Sequence, residues 1–199
     1  MIKGIDISHH NKNMKDPYAI NKYDFVIMKA SEGRNYRDPA LSYYMMHLDP
    51  DHLKGFYHYA RPEINLDPRA EASNFVTSIL KYVDDKSIVA LDVEGAALDV
   101  KMLDAWCKCW CEYVYNALGK IPLIYTSEAY TKLFDKTASY GCGLWCAKWS
   151  NNKPKKIKPW EFFAIWQKTN NEIVSGVRCD LDYFNGTKEQ FLKYCEVVK

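Results

Sequence analysis

Eight short apolar segments recur along this chain, and stretches with helical patterning separate most of them. Most of the segments are bounded by Gly, Pro, Asp or Asn, which is typical of buried strands. The predicted strands are Gly4–Ser8, Phe25–Ser31, Lys54–Ala60, Ser87–Glu94, Pro122–Thr126, Gly143–Trp149, Phe162–Lys168 and Val177–Phe184. The predicted helices are Pro39–Leu48, Pro68–Val83, Val100–Leu118, Glu128–Leu133 and a closing helix near Lys188–Val197. Strands that alternate with helices predict a parallel sheet of the α/β class.

The number of strands selects among the α/β architectures. About eight strands fit a closed, TIM-like barrel better than an open sheet. An open doubly wound sheet is the alternative, but the sequence contains no Gly-rich phosphate loop to support it. The loops between the last strands, such as Lys153–Lys158, are too short and polar to hold full crossover helices. We therefore predict an irregular TIM-like β/α barrel with fewer helices in its last part.

Asp38 and Asp67, each followed by proline, are predicted to cap helices.

Length, charge and hydropathy argue against a multidomain protein, a nucleic-acid-binding protein and a membrane-spanning protein. Residues 1–199 contain no Gly/Ser linker, low-complexity tract or internal repeat, so we predict one domain. The formal net charge of +2 is too small to argue for nucleic acid as a partner. No apolar run reaches the roughly 18 residues of a membrane-spanning helix, and the chain start lacks the apolar stretch of a signal peptide. The seven cysteines follow no small-domain disulfide pattern, so we expect reduced thiols.

The predicted strand Ser87–Glu94 ends in two carboxylates, Asp92 and Glu94, and Gly95 follows. Side chains alternate along a strand, so these two acids point to the same side. Acids at the end of a buried strand are costly to desolvate, and a fold retains them mainly where they function. Asp92 has a structural alternative as the partner of a nearby hydroxyl or lysine. Glu94 has no helix cap to serve, and the pair therefore predicts acid–base chemistry in a cleft.

Other polar residues fall at the carboxyl ends of predicted strands, where β/α barrels place their chemistry. Asp6 lies in the first strand, Lys29 in the second and Asp180 in the last. Closure of a barrel puts the first and last strands side by side, so Asp6 and Asp180 are expected to meet. Asp6 has an alternative interpretation as a cap for the loop that follows it. Asp180 and Asp182 are two residues apart, and the sequence does not decide which of them faces the site.

Aromatic residues make up 15% of the chain, and several of them share strand faces with these acids. Most aromatic residues in any protein serve the core. Here, however, Tyr57 and Tyr59 share one side of a strand, Trp149 shares a side with Trp145, and Tyr125 ends the fifth strand. If these faces point inward, the acids lie in a bowl lined by Tyr and Trp. Such a bowl suits a saccharide that stacks on rings and forms hydrogen bonds at its edges.

No metal site is predicted. On a helix, Cys109 points roughly 200° away from Cys107, so Cys107, Cys109 and Cys111 cannot converge on one ion. His9 and His10 have Asp6 nearby but no further ligand at a suitable spacing.

At this point the residues carry a family resemblance. Eight motifs occur in order along almost the whole chain, and together they are highly specific. They are Gly4–Asn11, Met28–Gly33, Gly55–Arg61, Leu91–Glu94, Ile124–Thr126, Leu144–Ala147, Ile165–Gln167 and Asp180–Gly186. This set resembles the lysozymes of glycoside hydrolase family 25. The departures are mild: His10 adds an imidazole near the first acid, and Cys146 and Cys179 stand where an aliphatic residue is usual.

The resemblance implies an N-acetylmuramidase on an irregular β/α barrel. The implied partner is the glycan strand of peptidoglycan, cut at the β-1,4 bond between N-acetylmuramic acid and N-acetylglucosamine without a cofactor. Glu94 would be the general acid, and Asp6, Asp92 and Asp180 would be supporting acids. The residues implied to line the cleft and bind substrate are Lys29, Tyr57, Tyr59, Tyr125 and Trp149.

The expected mechanism follows from the requirements of glycosidic cleavage. A proton must reach the leaving oxygen, and a cation-like sugar ring must be stabilised. Desolvation and the neighbouring acid are expected to raise the pKa of Glu94 relative to that of Asp92. Asp92 then acts either as a nucleophile or by orienting the 2-acetamido group of the substrate so that its carbonyl attacks the anomeric carbon. The Asp-x-Glu arrangement favours the second role.

Two other functions and several biological roles stay open on the sequence alone. A chitinase-like hexosaminidase would share the Asp-x-Glu strand end, and a catalytically silent wall-binding module would keep the aromatic residues. A phage endolysin, a bacterial autolysin and a toxin all fit the chain, and the free cysteines favour the endolysin. We expect a monomer that acts on the bacterial cell wall, made in the cytoplasm and released by holin-type lysis, or exported with a leader since removed. Host range is not encoded in any motif that we identify.

Overall fold

Nine β-strands form one sheet in the computed structural model, which describes residues 1–197. The strands are β1 (Ile2–Ile7), β2 (Phe25–Glu32), β3 (Tyr36–Arg37), β4 (Leu53–Tyr59), β5 (Ser87–Asp92), β6 (Leu123–Ser127), β7 (Gly143–Ala147), β8 (Ile165–Val174) and β9 (Val177–Phe184). The eight sequence-predicted strands correspond to all of these except the two-residue strand β3.

Eight of the strands close into a barrel. Strand β1 pairs with β2 on one side and with β9 on the other, and β3 is an antiparallel appendage on β2. The pairs from β1–β2 round to β7–β8 are parallel, whereas β9 is antiparallel to both β8 and β1. The prediction of an irregular TIM-like barrel is therefore confirmed. A chain that turns back from β8 into β9 needs only a short hairpin, so it needs no crossover helix there.

The helices are α1 (Leu41–His47), α2 (Pro68–Ile79), α3 (Leu103–Leu118), α4 (Asp135–Ser139) and α5 (Lys188–Cys195). The predicted helix over 128–133 is wrong, because only a 3-10 turn at Thr131–Leu133 forms there, and α4 follows it unpredicted. Asp67 caps α2 as predicted, since its carboxylate accepts from the backbone N–H of Arg69 at 3.0 Å. Asp38 accepts from the backbone N–H of Ala40 in the preceding turn, so it does not cap α1 itself.

None of the helices in the described part of the chain has the length and hydropathy to span a membrane.

The barrel interior is apolar at the end opposite the predicted acids. Helix α5 closes that end, because the Phe191 ring packs 5.2 Å from the rings of both Phe25 and Phe184. Gly4 is required beside them, since a Cβ at this position would overlap the ring of Phe25. Side chains on the opposite strand faces pack outward against the helices, as with Val89, Leu91 and Val93. The carboxyl ends of the parallel strands lie at the other end of the barrel.

The β8–β9 hairpin is tied to the segment that follows β1. The backbone carbonyl of Ser175 accepts from Lys15 N–H at 3.0 Å, and its hydroxyl accepts from Asp16 N–H at 2.7 Å. Glu172 binds the ammonium of Lys3 at 2.7 Å and the hydroxyl of Tyr23 at 2.8 Å. These contacts hold the hairpin end of the last two strands in place.

Candidate active site

The four predicted acids converge at the open end of the barrel. Asp6 lies near the end of β1 and pairs in register with Asp180 of β9, so the expected meeting of the first and last strands occurs. Asp92 is the last residue of β5, and Glu94 follows two residues later. Charge repulsion from Glu94 contributes to raising the pKa of Asp6, Asp92 and Asp180. The four acids therefore form one electrostatic unit, in which the charge of Glu94 affects the ionisation of the other three. They are not separate acids that each cap a different loop.

Asp182 is a fifth carboxyl in this unit. The sequence left open whether Asp180 or Asp182 faces the site, and the two differ in burial. Asp182 is fully buried, and its carboxylate accepts from the indole N–H of Trp145 at 2.8 Å. Asp180 is only half-buried. Burial raises the pKa of each to about 8, with the nearby Asp6 as the next cause for Asp180. Asp180 thus faces the open site, and Asp182 lies beneath it.

Substitution of Asp182 tests this buried cluster through its pH dependence. A carboxyl whose pKa is about 8 in the folded protein and about 4 when unfolded binds more protons when folded. Stability is therefore lost as pH rises from about 4 to about 8. We expect Asp182→Asn, which keeps an oxygen for Trp145, to raise the free energy of unfolding at pH 8 by at least about 1 kcal/mol.

Thermal melts at pH 5 and pH 8 measure this effect, and Asp85→Asn is the matched control because Asp85 is exposed. The advantage of Asp182→Asn over wild type should shrink towards pH 5. Equal destabilisation by Asp182→Asn at both pH values would show that the carboxyl itself stabilises the fold.

Asp92 and Glu94 differ sharply in environment. Asp92 is 7% exposed, and its Oδ1 atom has no hydrogen-bond partner within residues 1–197. Burial, followed by repulsion from Glu94, raises the pKa of Asp92 well above its usual range, and Lys29 opposes this. Glu94 is exposed as a residue, but the cleft walls still desolvate its carboxyl and raise its pKa, again against Lys29. Burial therefore raises the pKa of both carboxyls, and repulsion from Glu94 adds to the effect on Asp92.

The side chain of Glu94 has no structural role in the turn that follows it. Glu94 precedes a 3-10 turn over Gly95–Asp99, but its side chain makes no capping hydrogen bond to that turn. Gly95 has a positive φ of 58°, a conformation that L side chains rarely adopt. The glycine lets the chain turn away directly after Glu94, so that the carboxyl stands at the mouth of the barrel.

Gln167 of β8 is a site residue to which sequence reasoning assigned no role. Its Oε1 atom accepts from the hydroxyl of Tyr125 and from the indole N–H of Trp149, both at 3.0 Å. Its Nε2 atom donates to Oδ2 of Asp6 at 2.9 Å. Because an indole N–H can only donate, these contacts fix the orientation of the amide and direct its N–H towards Asp6. The sequence feature that could have identified Gln167 is that it is a polar residue on a strand face that otherwise points into the barrel.

Tyr125 and Trp149 form one wall of a cleft of about 410 Å³ beside Glu94. The cleft is lined by Glu94, Gly95, Leu98, Tyr125, Ser127, Tyr130, Ala147 and Trp149. Trp149 is 61% exposed, and the bond to Gln167 orients its indole. An exposed ring held in a fixed orientation presents a flat apolar face, which suits a sugar ring.

The other predicted cleft residues lie close to the acids. The ammonium of Lys29 binds Glu32 at 2.7 Å and lies 4.8 Å from the ring centre of Tyr59. Tyr57 packs edge-on against Trp145, and its pKa is raised by burial and then by Asp6 and Asp92. Lys29, Tyr57 and Tyr59 are thus next to the acids but outside the lining of the aromatic cleft.

Residues 1–197 contain no group of three His, Cys, Asp or Glu side chains placed to hold a metal ion. Cys107 and Cys111 are buried on α3, and burial raises the pKa of both thiols. The imidazole of His9 contacts the carboxylate of Asp38 at 2.9 Å and the hydroxyl of Tyr36 at 3.1 Å.

Comparison with known proteins identifies what this barrel and site are similar to. The sequence profile of "Glycosyl hydrolases family 25" matches residues 5–177. An N,O-diacetylmuramidase of Arthroderma benhamiae is 24% identical over 98% of this chain and 87% of its own length. The structure of a muramidase from Trichobolus zukalii superimposes with a TM-score of 0.84 at 26% identity, covering 98% of this chain and 99% of that one. The CTP1L endolysin superimposes with a TM-score of 0.81 at 25% identity over 98% of this chain and 69% of that one.

Proposed function

This chain belongs to glycosyl hydrolase family 25, and on that premise we propose that it cleaves peptidoglycan between N-acetylmuramic acid and N-acetylglucosamine. The observation that carries the proposal is the pair at the end of β5. Glu94 stands at the mouth of a sugar-sized aromatic cleft, and Asp92 lies buried two residues before it. The names of the relatives, muramidase and endolysin, support the same substrate. Residues 1–199 would act as one catalytic domain, since the described strands all belong to one sheet.

Glu94 is the proton donor in this mechanism. Its raised pKa keeps a fraction of the carboxyl protonated at higher pH than for a free glutamate, and its exposure lets it reach the leaving oxygen. It transfers its proton to the glycosidic oxygen as the bond to the anomeric carbon breaks. The resulting carboxylate then takes a proton from the water that completes hydrolysis.

Asp92 orients the 2-acetamido group of the substrate. A nucleophilic carboxyl must be ionised, and the strongly raised pKa of Asp92 disfavours ionisation. Accepting a hydrogen bond from the acetamido N–H requires no charge, and Oδ1 of Asp92 has no protein partner among residues 1–197. The acetamido carbonyl oxygen then attacks the anomeric carbon, and water later opens the cyclic intermediate. The raised pKa of Asp92 and its unpartnered Oδ1 atom therefore favour assistance by the substrate over direct attack by Asp92.

Asp6 and Asp180 support this pair from the opposite side of the barrel mouth. The hydrogen bond from Gln167 fixes the carboxyl of Asp6, and Asp180 lies in register beside it. Repulsion of Asp92 by Asp6, and of Asp6 and Asp180 by Glu94, favours one shared set of protons over independent ionisation. Trp149 and Tyr125 stack against a sugar in the cleft, while Lys29, Tyr57 and Tyr59 contact the substrate near the acids.

Mass analysis of digestion products tests the bond that is cleaved. Purified bacterial walls should release muropeptides that carry N-acetylmuramic acid at the reducing end. Chitin, which lacks muramic acid, should yield no soluble oligosaccharide under the same conditions. Reducing-end N-acetylglucosamine from walls would contradict the proposed bond, and efficient chitin cleavage would support the hexosaminidase alternative. The proposed site of action is the bacterial wall, reached either by holin-type lysis or by export with a leader.

A further inference from the structure

The loop between β7 and β8 carries a group of unpaired positive charges. Its four lysines are all exposed; they are Lys153, Lys155, Lys156 and Lys158. Pro154 and Ile157 between them are buried, so the backbone is anchored while the lysine side chains point to solvent. Within the described part of the chain, none of these four ammonium groups has a carboxylate within 4.0 Å.

The loop has a fixed shape because one carboxylate organises its backbone. Oε1 of Glu128 accepts from the backbone N–H groups of Lys155 and Lys156 at 2.6 and 3.0 Å. Its other oxygen binds the ammonium of Lys148 at 2.8 Å, and these contacts lower the pKa of Glu128 to about 2. The charge of Glu128 is thus balanced by Lys148 and by the backbone. It does not neutralise the four exposed lysines.

The same loop adjoins the substrate cleft. Glu128 directly follows Ser127, Lys148 directly precedes Trp149, and both Ser127 and Trp149 line the cleft. A ligand held by the lysines would therefore lie beside a glycan strand bound at Trp149.

The charge of this loop exceeds the charge of the whole chain. The formal net charge of the protein is only +2, so the protein outside these four lysines is net acidic. Adjacent residues such as Lys155 and Lys156 have Cα atoms about 3.8 Å apart, which is well inside the Debye length of about 8 Å at physiological salt. The four charges therefore act together on an extended polyanion, whereas a single small anion would meet only one or two of them.

We propose that the segment 153–158 binds a phosphate-bearing anionic polymer attached to the cell wall and thereby holds the enzyme on its substrate. The proposal rests on the proposed wall-directed function. Lysine ammonium groups are compact point charges that bind phosphate oxygens without requiring a planar, two-point geometry. Repeated phosphodiesters along one polymer match four lysines within six residues better than the scattered carboxylates of stem peptides do.

The test measures adsorption to purified walls with and without their phosphate polymer, which hydrofluoric acid removes. The loop variant is K153Q/K155Q/K156Q/K158Q, and the matched control is K15Q/K22Q/K81Q/K193Q, which removes four exposed charges from other elements. Both are made with Glu94→Gln so that the walls stay intact. In 50 mM salt we expect the loop variant to bind native walls about tenfold more weakly than the control. This difference should vanish at 0.5 M salt and on stripped walls.

Hydrolysis of short, polymer-free peptidoglycan fragments separates this proposal from the proposed function. With Glu94 intact, the loop variant should cleave these fragments at the wild-type rate. Failure of the wild type to cleave them would overturn the proposed function and leave the binding result valid. Equal adsorption of loop variant and control to native walls would overturn the loop proposal. So would a deficit that persists on stripped walls, which would assign the lysines to stem-peptide carboxylates.

Discussion

Glu94→Gln is expected to lower the rate of wall hydrolysis by about 10²–10⁴-fold while the fold is retained. Glutamine keeps the size and hydrogen-bonding shape of the side chain but cannot transfer the proton that the leaving oxygen needs. Glu94 makes no capping hydrogen bond to the turn that follows it, so its replacement costs little stability. Clearing of a wall suspension measures the rate, and circular dichroism with thermal melting measures the fold.

Wild-type activity should also fall as pH rises through the raised pKa of Glu94, because the protonated form of Glu94 that donates the proton is then lost.

The matched control for Glu94→Gln is Glu112→Gln on α3, where Glu112 pairs with Lys108 and does not line the cleft. That variant should clear walls like wild type. Asp6→Asn should reduce the rate less than Glu94→Gln does, since Asp6 supports the reacting groups and donates no proton to the substrate. Near-normal clearing by Glu94→Gln would remove Glu94 from the role of proton donor, and a larger loss in Asp6→Asn would mean that the roles are misassigned.

Asp92→Asn is expected to lower the rate by about 10²-fold, and Asp92→Ala by more. Asparagine retains a carbonyl oxygen that can accept from the acetamido N–H of the substrate. Unlike a carboxyl group, however, its amide cannot release a proton and become negatively charged as positive charge develops on the cyclising acetamido group. Alanine lacks both the acceptor oxygen and the ionisable group. If Asp92 were the nucleophile, asparagine would be as inactive as alanine, because neither side chain can form the covalent ester. Rates on soluble glycan fragments compare the two variants, with exposed Asp135→Asn as the control.

An inhibitor gives this prediction a second measurement. A thiazoline analogue of the cyclised acetamido group should inhibit the wild type competitively and should bind Asp92→Ala at least tenfold more weakly. Mass spectrometry of the wild type mixed rapidly with substrate should show no glycosyl group attached to the protein. A covalent adduct on Asp92 would establish direct nucleophilic attack and contradict the assisted mechanism.

Much of the fold follows from local patterns in the sequence. Buried strands such as Ser87–Asp92 are short apolar runs, and the cap at Asp67 precedes Pro68, so residues close in the chain carry enough information. The helix error at 128–133 has a tertiary cause. There the carboxylate of Glu128 is engaged by Lys148 and by the backbone of Lys155 and Lys156, which are distant in sequence.

The sequence by itself determined eight of the nine strands and placed Asp6, Asp92 and Glu94 at or next to strand ends, because side-chain alternation and the boundaries of apolar runs are local properties. Only the tertiary structure decided the antiparallel entry of β9, the burial of Asp182 beneath Asp180 and the placement of Gln167 between Asp6 and Trp149. It also decided that the carboxyl of Asp92 is buried while Glu94 is exposed as a residue. The physical reason is that desolvation and hydrogen bonding at a barrel mouth depend on which strands become neighbours, and closure brings together residues more than 160 positions apart.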